Sequence, residues 1–383
     1  MIGPMRIAIV GYGIAGIAAA IQLRRLGHDI THFERGHPPV TRGAGMLLHP
    51  PALRQLQKLG LLESVRACGA PVRRICAQSV HGQPLMDLDY AGALAGQHGL
   101  GIQRVVLHRL LSSADTGRDH VLSGHRIASL DPQLGYLFGD SHERHGPYDL
   151  IVVADGSHSN LREAMPIFAR RNQRADSAAL VGLLDDPDRL AADRLMQYFD
   201  AHRHLSVWPV GSESPDTVRR CGVALNVSLS EAADFRNQGT WRSQLVRLCP
   251  MIGNLVNDRV DNSDFHIFSY RDVELDTYAA GRAVLIGDAA HSMSPQLGVG
   301  AQLAMEDADI LASTLAERSD LPTAMRTYAQ RRQPRLRRFQ QASRWLTPMF
   351  QADSRLLASL RDHLMAKTMG APMVKRLAQE LLS

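Results

Sequence analysis

The 383-residue chain has a mass of 42.1 kDa and is 45% hydrophobic, enough apolar material for one large domain or two fused ones. Its 43 Lys and Arg against 38 Asp and Glu leave a net charge of +5, and 21% charged with 5% aromatic residues excludes a mainly disordered chain. A mean hydropathy of −0.16, with no apolar window of about 18 residues, excludes a membrane-spanning helix.

The opening MIGPMRIAIVGYG lacks the basic region, long apolar run and cleavage site of a signal peptide, so a cytoplasmic protein is expected. Cys68, Cys76, Cys221 and Cys249 form no C-x-x-C pair and no His/Cys cluster at zinc-ligand spacing, which favours inert thiols and no metal site. Met5 to Val10 is an apolar run without polar alternation, as expected of a central parallel strand covered on both faces. It ends at Gly11, Gly13 and Gly16, a G-x-G-x-x-G turn, and Ile14, Ile17, Ala18 and Ile21 follow at helical spacing. The first glycine permits the turn, the second admits a pyrophosphate to the backbone N–H groups, and the third lets helix and strand pack closely. Ile30 to Phe33 reads as the next strand, ending at Glu34, eighteen residues beyond Gly16, where a carboxylate can accept from both ribose hydroxyls of an adenosine. This much predicts a dinucleotide and leaves NAD and FAD both open.

Two further buried-strand patterns follow. Tyr148 to Ala154 runs into Asp155, Gly156, Ser159 and Arg162, a D-G-x-x-S-x-x-R arrangement opening a helix. Ala283 to Ile286 runs into Gly287-Asp288-Ala289-Ala290-His291, then Pro295, Gly298 and Gly300, before an Ala/Leu-rich helix from Ala301 to Leu315.

With these three motifs in order, the chain resembles the class A FAD-dependent aromatic hydroxylases, the flavoprotein monooxygenases with the fold of para-hydroxybenzoate hydroxylase, from about residue 5 to about residue 350. The resemblance implies an α/β fold: a Rossmann-type, GR2-like FAD-binding domain, discontinuous over 1–70, 98–170 and 271–325, an interposed substrate sheet from 71–97 and 171–270, and C-terminal helices over 326–383. It implies FAD contacts at Gly11, Gly13, Ile14, Ala15, Gly16, Glu34, Arg35, Arg42, Arg104, Asp155, Gly287, Asp288, Gly298, Val299, Gly300 and Ala301, with Glu34 on the adenosine ribose and Asp288 on the ribityl chain. Helix N–H groups near Gly300 would stabilise negative charge on reduced flavin. Gln302 departs from the family pattern, which commonly has Asn there. The implied chemistry is reduction of FAD by NADH or NADPH docking transiently, O2 as co-substrate, and hydroxylation of an aromatic or polycyclic small molecule through a C4a-hydroperoxyflavin. Pro295 is implied beside the flavin ring, among the catalytic candidates.

No second G-x-G-x-x-G follows a strand, so a nicotinamide would lack its own Rossmann domain. Lysine occurs only at 58, 367 and 375, and the halogenase Trp-x-Trp-x-x-Pro motif is absent, which argues against halogenation. The absence of a dithiol argues against a disulfide reductase. A non-hydroxylating FAD oxidoreductase of a lipophilic substrate and a non-catalytic flavin protein stay open. In HLSVWP, His204, Ser206 and Trp208 share one strand face, which is either substrate-facing or solvated. His204 and His49 are candidate bases for generating a phenolate, although His49 reads first as a turn residue before Pro50-Pro51. Ser206 and Trp208 are candidate substrate contacts.

Leu321 to Gln351 contains no acid but Arg326, Arg331, Arg332, Arg335, Arg337, Arg338 and Arg344, which carry the chain's positive excess. A solvated helix face is the first expectation; guidance of anionic NAD(P)H or substrate, and peripheral membrane contact through 326–345, are the others. Nucleic acid is not expected, for want of a recognition motif. A monomer or homodimer is anticipated.

Overall fold

The computed structural model describes residues 2–36, 45–93, 96–117, 120–167, 169–200, 203–214, 216–238, 240–256, 260 and 264–350. Arg42 and the segment from 351 onward lie outside the described residues.

The apolar run predicted as a central strand becomes Arg6–Val10, flanked in parallel by Leu150–Val153 on one side and Asp29–Glu34 on the other. Ala283–Leu285 pairs in parallel with Leu150–Val153, and Val121–Ser123 with Asp29–Glu34. Ala279–Ala280 completes this six-stranded sheet at one edge. All four residues of Leu150–Val153 are buried, because helices and loops cover both faces of a parallel sheet. Register places Val10 beside Val153 and Phe33, and Val153 beside Leu285, so three strand ends far apart in the chain open onto one crevice. Behind the crevice, helix Ile14–Arg25 packs on helix Gly300–Glu317. Ala18, Ala19 and Ala20 have no exposed surface, and their small size suits close helix packing.

A seven-stranded sheet forms the second layer, in the order Phe265–Leu275, Ala169–Asp185, Arg220–Ser228, His204–Gly211, Arg194–Phe199, Arg74–Ser79, Pro84–Asp89. Its pairings are antiparallel except between Arg194–Phe199 and Arg74–Ser79. Leu205, Val207, Val223 and Leu225 pack on one face with Trp241 and Leu245 of helix Trp241–Leu248. All eight residues of His204–Gly211 are buried, so the polar-aromatic face is not solvated. A small sheet of Gly45–Leu48, Gly99–Gln103 and Ala70–Val72 lies against its Trp208 end. There a side chain on Gly101 would collide with the Pro209 carbonyl.

The arginine-rich run lies in a single helix, Leu321–Phe350, which continues through Pro334 and Pro348. The expectation of a solvated arginine face is corrected here, because four of its arginines meet acids from other elements. Buried Arg332 reaches Asp307 Oδ1 through Nε at 2.6 Å and Glu306 Oε2 through Nη1 at 3.1 Å. Arg335 makes two bonds to Glu306, Arg331 pairs with Glu317 at 2.6 Å, and Arg344 with Asp272 and Glu274. A helix segment without acids can dock this way only where its neighbours supply the carboxylates. Among the described residues, the arginines of this helix left without a carboxylate are Arg326, Arg337 and Arg338, which shrinks the surface available to a membrane or an anion. Among the described residues no helix is long and apolar enough to cross a membrane.

Burial opposes the ionisation of Asp307, but His291 and Arg332 beside it outweigh that penalty and hold its carboxyl below the usual carboxylate range. A carboxylate with a depressed pKa contributes stability that is complete above about pH 4 and is lost as pH falls through its folded value. Arg332→Met should therefore cost about 3–5 kcal/mol near neutral pH by stranding Asp307. Urea unfolding at pH 7 checks this, and the difference from the parent should narrow in acid.

Candidate functional site

The glycine turn has the geometry its sequence requires. Gly11 has φ +105°, and a Cβ there would strike the Ala154 carbonyl; one on Gly16 would strike the Gly11 carbonyl. Gly13 differs, since a Cβ on it would meet nothing within 4 Å, so its backbone faces the open crevice. Glu34 accepts from the Tyr12 N–H at 2.8 Å through Oε2 and from the Gly36 N–H at 2.7 Å through Oε1, which leaves lone pairs on both oxygens for a ribose. Two histidines that sequence reasoning missed brace this turn: His32 Nε2 lies 3.0 Å from the Gly11 carbonyl and His108 Nε2 2.8 Å from that of Tyr12. Arg104 begins helix Arg104–Ala114 and, half-buried, has no hydrogen-bond or ion-pair partner among the described residues. Ile14 is buried at the helix start, and Arg35 is exposed beyond Glu34.

Gly287, at φ +60°, lies so close to Ala15 that its own Cβ would come within 2.8 Å of the alanine methyl. The G-D turn is thus pressed onto the first helix. Its N–H donates to Asp307 Oδ2 at 2.7 Å, and the same oxygen lies 2.6 Å from His291 Nε2. Asp288 and Gly300 are exposed to the crevice, 3.9 Å apart from Oδ1 to a Cβ position on the glycine. Arg162 ties the D-G turn to the G-D turn by donating to the Ala289 carbonyl at 2.9 Å and the Ser157 carbonyl at 3.2 Å. Burial pushes the Asp155 carboxyl up. Gln302, the departure from the family pattern, donates its amide to Glu306 Oε1 at 3.0 Å and joins the ion cluster.

Pro295 and Gly298 are exposed, Val299 and Ala301 buried, in the loop entering helix Gly300–Glu317. Beneath it, His49 Nε2 lies 3.0 Å from the Leu297 carbonyl and Nδ1 lies 2.6 Å from the Tyr90 hydroxyl. A carbonyl only accepts, so Nε2 carries the proton and Nδ1 accepts from Tyr90. Burial lowers the His49 pKa to about 4. With both nitrogens engaged, His49 acts as a strut under the loop, and its candidacy as a base for substrate loses its support.

On the second sheet, His204 Nε2 lies 2.9 Å from Ser206 Oγ and 3.3 Å from Gln197 Nε2, and Nδ1 lies 3.0 Å from Asn226 Nδ2. Its ring stacks on Phe199 at 4.7 Å. Trp208, on the same face, leans on Gly45 of the small sheet. At the other side of the sheet Ser177 and Ser294 both bond the Tyr270 hydroxyl, linking it to the segment before Pro295.

Several buried polar atoms here lack partners among the described residues: both amide atoms of Gln103, both of Gln296, and Asp155 Oδ1. Buried polar groups are normally satisfied. Together with the open Gly13, the unpaired Arg104 and the exposed Asp288, they fit a long, polar, anionic dinucleotide with a ribityl chain. A family described as FAD binding domain matches residues 5–343. The chain belongs to that family.

It is an FAD-dependent monooxygenase of the class A hydroxylase kind, a class typically supplied by NAD(P)H and O2. It is 29% identical to the 3-amino-4-hydroxybenzoate 2-monooxygenase of Streptomyces cremeus, over 95% of this chain and 92% of that one. With the FAD-dependent urate hydroxylase of Klebsiella pneumoniae it shares 26% identity over 87% of each chain. The solved structure of Klebsiella pneumoniae HpxO with FAD and uric acid superposes with a TM-score of 0.85 at 24% identity, covering 100% of this chain and 97% of that one.

Glu34→Ala and Asp288→Ala should each weaken FAD about 10- to 100-fold, the worth of a hydrogen bond to a charged group, as read by flavin fluorescence on titration. Burial lowers His32 as well as His49 to about 4, so each is neutral when folded while its unfolded counterpart protonates near 6.5. Stability should be full above about pH 6.5 and fall as pH drops toward 4, by about 3 kcal/mol per histidine. His49→Gln should flatten that decline in chemical unfolding.

Proposed function

We propose that the enzyme hydroxylates an aromatic small molecule held between the His204 face of the second sheet and the Pro295–Gly300 loop. The observation that carries this is the buried polar cluster of His204, Ser206, Gln197 and Asn226, on a sheet that meets Gly45 through Trp208 and Ser294 through Tyr270. Glu34 takes the adenosine ribose, the Gly13 backbone and the first turn of helix Ile14–Arg25 take the pyrophosphate, and Asp288 takes the ribityl hydroxyls. Arg104 adds positive charge to the same run, while Asp155 and Gln103 offer unsatisfied polar atoms to it. Bound FAD supplies the redox chemistry, accepting electrons from NADH or NADPH and activating O2.

Protein groups then hold and desolvate the substrate. Backbone N–H groups at the start of helix Gly300–Glu317 favour negative charge at the flavin edge. Pro295 and Val299 shape an apolar wall that limits water. His204 is the group that takes up a proton from a substrate hydroxyl. Its partners are side-chain amides and a hydroxyl, which can exchange bonds with a ligand, unlike the backbone carbonyl that holds His49. The named substrates of two relatives, aminohydroxybenzoate and urate, are small ring compounds, which supports this reading.

Purified protein should be yellow with FAD bound. NAD(P)H consumption, H2O2 release and product mass are followed across phenols, quinolones, indoles and urate. A gain of one oxygen with suppressed H2O2 is expected, and His204→Ala should lower turnover about 100-fold, within the range of general base catalysis. Steady NAD(P)H oxidation with no oxygen gained by any ring would overturn the hydroxylase reading.

A further inference from the structure

The second sheet presents its inner face as cross-strand rows that backbone register defines. One row runs Phe268, Ala179, Asn226, His204, Phe199. The next runs Val181, Ala224, Ser206, Gln197, Ala77, with His266 at its outer end. Neither row contains Lys, Arg, Asp or Glu. Polar character comes instead from an imidazole, two carboxamides and a hydroxyl bonded to one another. The Asn226 amide N–H meets His204 Nδ1 at 3.0 Å, Ser206 Oγ meets Nε2 at 2.9 Å, and the Gln197 amide N–H donates to Ser206, so the carbonyls of both amides make no bond within the cluster. The cluster therefore shows a ligand both donors and acceptors, without a permanent charge.

The central polar residues of this face keep slightly more exposure than the apolar residues behind them. His204, Ser206, Gln197 and Asn226 keep 5%, 7%, 6% and 9% of their surface, whereas Leu205, Val207, Val223 and Leu225 on the opposite face keep at most 0%. Trp208, on the same inner face, carries an indole N–H that is buried and has no partner among the described residues. Such a donor is satisfied by a ligand carbonyl or hydroxyl oxygen. The flanking Phe199, Phe268 and Trp208 supply flat apolar surface.

The geometry points to a specificity cluster of Gln197, Ser206, His204 and Asn226 that selects a neutral heteroaromatic ring with a lactam- or phenol-like edge and discriminates against ring carboxylates. This rests on the hydroxylase reading above and narrows its substrate class. Bringing a carboxylate onto these rows would strip its water without supplying a cation, and an unpaired buried charge is the costliest group to desolvate. A neutral lactam exchanges water bonds for equivalent bonds to Gln197, Ser206 and the Trp208 N–H.

Matched pairs test it with the flavin-loaded enzyme: 4-quinolone against 4-quinolone-2-carboxylate, and phenol against 4-hydroxybenzoate. Binding is read by calorimetry and by perturbation of the flavin spectrum, and oxygen gain is followed separately by product mass. The neutral member of at least one pair should bind about 100-fold more tightly than its carboxylate. Gln197→Leu should weaken the neutral ring about tenfold, and Gln197→Arg should narrow or invert the preference. Equal or tighter binding of the carboxylates overturns the proposal, as does a panel in which nothing binds. Selective binding of neutral rings without oxygen gain would leave the specificity cluster standing and count against hydroxylation, so the two failures are separable.

Discussion

A carboxylate with no exposed surface, Asp307, accepts hydrogen bonds from the Gly287 N–H, from His291 and from Arg332. These groups belong to the G-D turn and to the C-terminal helix, and Asp307 itself belongs to helix Gly300–Glu317, which follows the Pro295–Gly298 loop. The geometry of the cofactor crevice depends on this meeting point. If Gly287 moved, Asp288 would leave the crevice, and the close approach to Ala15 would open. Buried charge of this kind is expensive unless every partner is present, which makes the cluster cooperative. Glu306 extends it, binding Arg332, Arg335 and Gln302, and so links the most basic part of the chain to the segment that enters the flavin loop.

A parallel sheet then does what separate motifs cannot do alone. Because the first, Leu150–Val153 and Ala283–Leu285 strands run in the same direction and in register, their following turns all emerge at one edge. Glycine is required where those turns crowd each other, at Gly11 against Ala154 and at Gly287 against Ala15, and the open side is left to Gly13. Histidines held neutral by burial brace this arrangement. His32 sits under the first turn and His49 under the Pro295–Gly300 loop, each tied to a backbone carbonyl through Nε2.

The substrate side follows a different rule. On strand His204–Gly211 and its neighbours one face is packed with Leu205, Val207, Val223 and Leu225, and the other carries a buried, mutually bonded set of neutral and imidazole side chains with no carboxylate, Lys or Arg in its two rows.

Much of the cofactor side was legible in the sequence: the apolar run from Met5 to Val10, the glycine spacing, Glu34 at the next strand end, and the D-G and G-D segments on their own strands. These are local patterns in which residue type dictates backbone conformation within a turn or two, so linear reading reaches them. Long-range pairing is not written that way. An arginine shows its charge in the sequence but not its partner, so the run from Arg331 to Arg344 read as solvated until the fold brought Asp307, Glu306, Glu317, Asp272 and Glu274 to it. His49 and His204 are alike in sequence as candidate bases, and the fold separates them by setting one against a backbone carbonyl and the other among side-chain amides and a hydroxyl. The sequence by itself determined the cofactor class and the turns that receive it. Only the tertiary structure decided which charges neutralise each other and which polar groups bond one another inside the second sheet, because both depend on distances between residues that can lie tens to hundreds of positions apart.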